Sequence, residues 1–153
     1  MTSKRGSKFR LARARTGLGL FAAAPIARGS HLINFVGKLI PTEDADKIRS
    51  RNLFAIDAKW TINGSPRTNV ARYINHSCKP NCVARRYGRS IRIFARRAIE
   101  PGEELTYNYG KEYFQAFIEP SGCKCDHCAP PRSGRKSAPS KRRVRAGKRA
   151  RPR

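Results

Sequence analysis

Between residues 9 and 128 the apolar residues come in short runs broken again and again by Gly and Pro. Such spacing leaves no room for long helices, and there is no strand–helix alternation of the kind that builds a parallel sheet. It predicts a mainly β domain of short strands and tight turns. His31 to Ile40 reads as strand-like, and Ser90 to Ala95 alternates cleanly. Cys82 to Tyr87 followed by Gly88-Arg89 predicts a hairpin into that second strand. Glu100-Pro-Gly-Glu103 has Pro and Gly where a type II turn wants them, and leads into a strand from Leu105 to Tyr109. Thr42 to Arg49 reads as a capped short helix and Lys111 to Ile118 as another. Arg15-Thr-Gly-Leu-Gly-Leu-Phe21 reads as a turn between strands that also lets backbone approach a ligand. It lacks the third Gly of a dinucleotide fingerprint.

Charge divides the chain further. It carries 34 Lys and Arg against 10 Asp and Glu, a formal +24. Eleven of the basic residues and none of the acids lie in the last 25 positions, so residues 129–153 have almost nothing to bury and are expected to be disordered when unbound. The 23 basic and 10 acidic residues that remain still make the foldable part strongly positive, which favours polyanionic partners. Residues 1–8 read as a loose basic N-terminus. No apolar run is long enough to span a membrane, and the basic N-terminus is followed by no hydrophobic signal region, so an intracellular setting is expected. There the five Cys should be reduced, which favours metal binding or burial over disulfides.

Three stretches carry chemistry. Gly122-Cys-Lys-Cys-Asp-His-Cys128 sets three thiols within six positions among polar residues, a spacing that suits tetrahedral Zn²⁺. The fourth ligand is left open, to His127 or to a distant residue. In Glu104-Leu-Thr-Tyr-Asn-Tyr-Gly110, Tyr107 and Tyr109 are two apart and face the same way on a strand. Arg72-Tyr-Ile-Asn-His-Ser-Cys-Lys-Pro-Asn-Cys82 packs an Asn, a His, a Ser and two Cys around one Pro. His76 and Cys78 are too near in sequence for a good nucleophile–base pair, and Ser77 lacks the Gly-x-Ser-x-Gly elbow of a hydrolase. Taken singly, these motifs leave the function open.

Taken in order, Gly17-x-Gly19, RYINHSCKPNC, ELTYNYG and CKCDHC resemble the SET-domain protein lysine methyltransferases with their zinc-binding tail segment, over residues 9–128. The resemblance implies a SET domain at 9–110, a fold of small curved sheets with a C-terminal pseudoknot, and a post-SET zinc segment at 111–128. It implies that Gly17, Leu18 and Gly19, with Arg72, Tyr73, Asn75, His76 and Tyr107, hold S-adenosylmethionine. Tyr109 resembles the catalytic tyrosine, and Tyr107 the aromatic that tunes how many methyl groups fit. Phe35, Tyr107 and Tyr109 would contact the substrate lysine. Cys78 would complete one structural zinc site with Cys123, Cys125 and Cys128, leaving Cys82 as a buried odd thiol.

The chain departs from the family pattern in three ways. Phe35 stands where the family commonly has Tyr, the last gap between zinc cysteines is short, and no cysteine-rich segment precedes the SET region. The first departure leaves product state between mono- and dimethylation. A substrate on a histone or a histone-like nucleoid protein is implied, with a nuclear or chromosomal location in a eukaryote and a nucleoid one in a bacterium. Residues 129–153 are expected to bind nucleic acid. Arg135-Lys-Ser-Ala-Pro139 matches a stretch of a core-histone tail, so Lys136 is a candidate for methylation by the enzyme itself. The alternative is an inactive zinc-stabilised scaffold that binds nucleic acid through the tail. The joint presence of Gly17, Gly19, Asn75, His76 and Tyr109 weighs against it.

Overall fold

A computed structural model describes residues 6–129. The tail beyond Ala129, including Lys136, and most of the N-terminal segment lie outside the described residues. The described chain is built mainly from short strands. A first hairpin pairs β1 (Phe9–Ala14) with β2 (Gly17–Ala22). The stretch read as a turn is therefore itself a strand, and only Arg15-Thr16 makes the bend.

The expected strand over 31–40 is two strands in two sheets. β3 (His31–Phe35) joins a three-stranded sheet in the order β3-β9-β8, with β8 (Cys82–Tyr87) and β9 (Ser90–Ala95). β4 (Lys38–Pro41) joins another in the order β4-β6-β5, with β5 (Leu53–Ala55) and β6 (Trp60–Asn63). The break falls at Gly37, whose backbone presses so closely on the Asn63 carbonyl that a β-carbon would collide with it. The β8–β9 hairpin forms as expected, with Tyr87 opposite Ser90. The turn at 100–103 closes by the Glu103 N–H donating to the Glu100 carbonyl.

Helix is scarcer than the sequence suggests. α1 spans only Thr42–Ala45 and has no side-chain cap. The Thr42 hydroxyl instead donates to the Asp57 carbonyl, binding the helix start to the β5–β6 loop. α2 (Lys111–Tyr113) is a single turn that widens into a π turn over Phe114–Ile118 and ends in a 3₁₀ turn, Glu119–Ser121.

The largest fully buried apolar side chains among the described residues are Leu20 of β2, Ile74 beside the Asn-His-Ser loop, Ile93 of β9, Ile99 and Leu105. Around this core the chain threads itself. β10 (Thr106–Tyr107) pairs in parallel with β7 (Asn75–His76), and the Ser77 N–H donates to the Tyr107 carbonyl. Buried Asn81 clamps the thread from the side, donating to the Glu104 carbonyl (2.8 Å) and accepting from the Thr106 N–H (2.9 Å). The strand expected over 105–109 is regular only at these two residues, because Leu105 N–H donates to Leu20 of β2 instead. This is the pseudoknot, and it pairs residues 31 positions apart, bringing the two motifs into one place.

Candidate active site

The thread fixes Tyr109. Its backbone N–H donates to His76 Nδ1 (3.2 Å), and its hydroxyl donates to the Ile74 carbonyl (2.6 Å). Burial pushes its pKa well above the usual phenol value, with Tyr107, Tyr113 and Glu104 adding to the shift. The group is a neutral phenol whose hydrogen goes to Ile74, so its oxygen lone pairs remain free to accept. Tyr107 packs at 4.8 Å from Tyr109, ring centre to ring centre, and stacks on Phe54 at 6.2 Å. Burial raises the Tyr107 phenol too. Its hydroxyl has no hydrogen-bond partner among the described residues, and its side chain lines the larger of the two cavities described next.

Two cavities meet at Tyr109. One, about 550 Å³, is lined by Asn75, His76 and Arg72, by Arg15 and Thr16 of the first hairpin, and by the cysteine segment. The other, about 990 Å³ and largely apolar, is lined by Phe35, Leu53, Phe54, Tyr107 and the outer face of the α2 segment. Both sizes lie in the ordinary range for small-ligand sites, roughly 300–1,000 Å³. Tyr109, Tyr113 and Phe117 border both. Tyr113 is held there by its hydroxyl donating to the Arg51 carbonyl (3.2 Å) and by edge-on packing against Tyr109.

Asn75 closes the floor of the smaller cavity. Its amide N–H₂ donates to the Leu18 carbonyl (3.1 Å) and to Glu104 Oε1 (2.7 Å), which leaves its carbonyl oxygen free. Burial pushes the Glu104 carboxyl up, while the hydrogen bond from Asn75 opposes it. Gly19 makes the junction possible, since a β-carbon there would lie 2.7 Å from Glu104 Oε1 and 2.8 Å from Ala14 Cβ. The small residue thus serves packing beneath the site.

His76 is committed inside the protein. Its Nδ1 accepts from Tyr109, so the neutral ring carries its proton on Nε2, which faces Cys78 Sγ at 3.4 Å. Burial lowers its pKa and keeps it neutral. The sulfur it touches belongs to a cluster in which the thiols of Cys78, Cys123, Cys125 and Cys128 all lie within 4.8 Å of one another. Cys78 and Cys123 are 3.8 Å apart. A tetrahedral zinc with sulfur ligands at about 2.3 Å has sulfur–sulfur edges of roughly 3.8 Å, so the donor set fits that ion. His127 is not part of the cluster. Cys82 is buried elsewhere, its thiol pushed up to about 12 by burial.

The expected residues are therefore not all in one place. Asn75, His76, Arg72 and Tyr109 line the smaller cavity, while Tyr107 and Phe35 line only the larger. Tyr73 lines neither, and sits under the Arg72 guanidinium at 5.4 Å. Gly17, Leu18 and Gly19 support the floor through Leu18 rather than lining the cavity. The sequence reading passed over Arg15, Thr16, Arg51, Tyr113, Phe117 and Glu104. Arg15 and Thr16 carry a signal by adjoining Gly17-x-Gly19 and Glu104 by opening the ELTYNYG motif, and the other three carry none.

The SET domain family model matches residues 17–110. The chain belongs to the SET-domain family. It is similar to the "Histone-lysine N-methyltransferase, H3 lysine-4 specific" of Schizosaccharomyces pombe, at 41% identity over 60% of this chain and 11% of that one. It is also similar to the histone-lysine N-methyltransferase ash1 of Drosophila melanogaster, at 32% identity over 72% of this chain and 5% of that one. Among solved structures it resembles KRYPTONITE in complex with mCHH DNA, H3(1-15) peptide and SAH. That likeness has a TM-score of 0.58 and 29% identity, and covers 67% of this chain and 23% of the other. This SET domain thus spans about a tenth or less of these curated relatives' lengths.

Proposed function

We propose that this SET domain is an S-adenosylmethionine-dependent protein lysine N-methyltransferase acting on histone or histone-like basic proteins, adding one or two methyl groups. The observation that carries the reading is the position of Tyr109, a neutral phenol on the boundary between a polar cavity and an apolar one. When bound, the donor supplies a methyl group activated on a sulfonium.

The chain's own residues do the rest. Arg72 and the free carbonyl of Asn75 offer a carboxylate and an ammonium their complements in the smaller cavity. Phe35, Phe54 and Tyr107 surround an aliphatic lysine stem in the larger. The lysine must arrive neutral, and in water it titrates near 10.4. An apolar channel disfavours its charged form and helps it shed that proton to solvent. A free lone pair of Tyr109 then accepts from the amine and holds it in line, an alignment worth several kcal/mol. As the new N–C bond forms the S–C bond breaks. A zinc ion on Cys78, Cys123, Cys125 and Cys128 would hold a cavity wall and take no part in the chemistry.

The relatives named as histone-lysine methyltransferases and the neighbour solved with an H3 peptide support the substrate class. Tyr107 and the hydroxyl-free Phe35 lining one cavity support a pocket of intermediate size, hence one or two methyl groups. Such a substrate sets the site of action on chromosomes, in a nucleus or on a nucleoid. The basic tail 129–153 would hold nucleic acid there, and Lys136, in its histone-like context, would be a target in cis or in trans.

The test is mass spectrometry of core histones, a nucleoid-protein extract and the protein itself after incubation with S-adenosylmethionine. Lysine shifts of about 14 or 28 Da are expected, falling roughly 100-fold in rate in Tyr109→Phe. Saturable donor binding with no transfer to any of these proteins overturns the substrate class. Absence of donor binding overturns the enzyme and favours the nucleic-acid-binding scaffold.

A further inference from the structure

Between Asp57 and Glu100 the chain has ten Lys and Arg and not one Asp or Glu. The fold sorts part of this charge onto a single surface. In the β3-β9-β8 sheet, Ile91, Ile93 and Ala95 point into the core, so Arg92 and Phe94 point out. The register sets Arg85 and Asn34 on either side of Arg92, and Val83 and His31 on either side of Phe94. Residues opposite one another share a face. The outer face therefore holds two directly opposed arginines and, along its three strands, no carboxylate.

Like charges set opposite one another on a sheet are destabilising. Here each guanidinium lies on an aromatic ring. Arg85 is 5.4 Å from the centre of Phe94 and Arg92 is 4.8 Å from the centre of Tyr87. At the hairpin tip Arg89 lies 4.8 Å over Trp60. All three arginines are exposed. Among the described residues none of the three makes a salt bridge, whereas neighbouring Arg86 and Arg97 pair with Asp57 and Glu103. Arg89, at the tip, also lies near Asp57 and helps hold that carboxyl down, whereas Arg85 and Arg92 have no acid partner and keep their donor edges free for oxyanions.

We propose that this sheet face binds the phosphate backbone of duplex DNA. The phosphates of a duplex are oxyanions on a wide, continuous track, which suits the free donor edges of the Arg85–Arg92 pair with Arg89 beyond it at the hairpin tip. The rings that could stack an unpaired base are already covered by arginine, so the face suits a duplex better than a single strand. Arg85, Arg89 and Arg92 line neither of the two cavities at Tyr109, so DNA held here leaves them open. The site is separate from the tail and independent of methyl transfer. If both hold, the lysine offered belongs to a DNA-bound protein.

The test uses the full chain and a fluorescent duplex of about 20 base pairs, titrated from about 50 to about 300 mM KCl. The face variant is Arg85→Gln/Arg89→Gln/Arg92→Gln, and a charge-matched control is Arg13→Gln/Lys38→Gln/Arg67→Gln. The face variant is expected to lose at least tenfold in affinity near 150 mM salt and about 2–3 units of log–log salt slope, at roughly 0.9 per phosphate contact. The control should change less than threefold, and both should methylate a histone peptide like the parent. Equal losses in the two variants, or parent-like binding by the face variant, overturn the proposal. A second measurement needs no variant: duplex DNA should shield Arg85, Arg89 and Arg92 from phenylglyoxal more than it shields Arg13. Equal labelling with and without DNA sinks the idea.

Discussion

Residues Ser90 to Leu105 and residues Lys111 to Ala129 are stretches of similar length on opposite sides of Tyr109. The first buries Ile91, Ile93, Ala95, Ile99 and Leu105, while the second buries only Cys125. Phe117, one of the two aromatics that the second stretch contributes to both cavities, is still 48% exposed. One side of the site stands on apolar area removed from water, at about 25 cal/mol per Å². The other has little such area. It is tied down by the cysteine cluster, by Tyr113 on Arg51, and by Arg15, which pairs with Asp126 and reaches the Ala129 carbonyl. An exposed pair such as Arg15–Asp126 contributes little by itself, since Asp126 is 85% accessible. A zinc ion held by the four thiols would therefore supply most of the ordering of that wall.

The sharpest way to break this contrast is to remove the ion. Structural zinc contributes on the order of 10–16 kcal/mol to small zinc-folded units. Chelation, or Cys125→Ser, should abolish detectable donor binding by calorimetry while the far-ultraviolet β signal and a cooperative melt remain. Loss of the melt together with donor binding would mean that the wall and the core are one cooperative unit. Next in size is the converse change. Ile93→Ala opens a cavity in the fully buried core and should cost about 2–5 kcal/mol, read as a lowered denaturation midpoint. Zinc affinity, measured on the fraction still folded, should barely move. A parallel loss of zinc would show that the core positions Cys78 tightly enough for the two to act together.

How far the sequence reveals all this differs between the two sides in the same way. The β8–β9 hairpin and the 100–103 turn are legible because their determinants are local: alternation, a Gly-Arg bend, a Pro-Gly pair. The division of 31–41 into two sheets is not, since it depends on the distant Asn63 backbone pressing on Gly37. Nor is the end of the last strand, where Leu105 turns aside to β2. At the site, motif order marks Asn75, His76, Tyr107, Tyr109 and the cysteines. It says nothing of Glu104 holding Asn75, or of Arg51 and Tyr113 closing the gap between cavities, because those contacts join residues 29 and 62 positions apart. Cys78 is the intermediate case. Spacing within CKCDHC asks for a fourth ligand, and only the thread brings one 45 residues away in sequence to within 3.8 Å of Cys123.

The smallest effect lies wholly on the apolar side and separates chemistry from architecture. Phe35 is 5% exposed and packs at 5.4 Å on Phe54, in the wall of the cavity that Tyr107 and Tyr109 share. Phe35→Tyr adds one hydroxyl to that wall. A near-isosteric change of this kind should cost less than about 1.5 kcal/mol if the hydroxyl reaches the cavity. Donor affinity and sensitivity to chelators should be unchanged, because Phe35 itself lines neither the smaller cavity nor the cysteine cluster. What should change is the product. An added hydroxyl fills space and accepts a hydrogen bond from the amine, which disfavours turning a methylated lysine for a second transfer. The ratio of dimethyl to monomethyl lysine, read by mass spectrometry at equal turnover, should fall several-fold. If the ratio holds while stability drops by several kcal/mol, the hydroxyl has gone into the core, and Phe35 is a packing residue with no say over product. If donor affinity moves with the ratio, the two sides of Tyr109 are coupled through the core, and the division between them is one of composition alone.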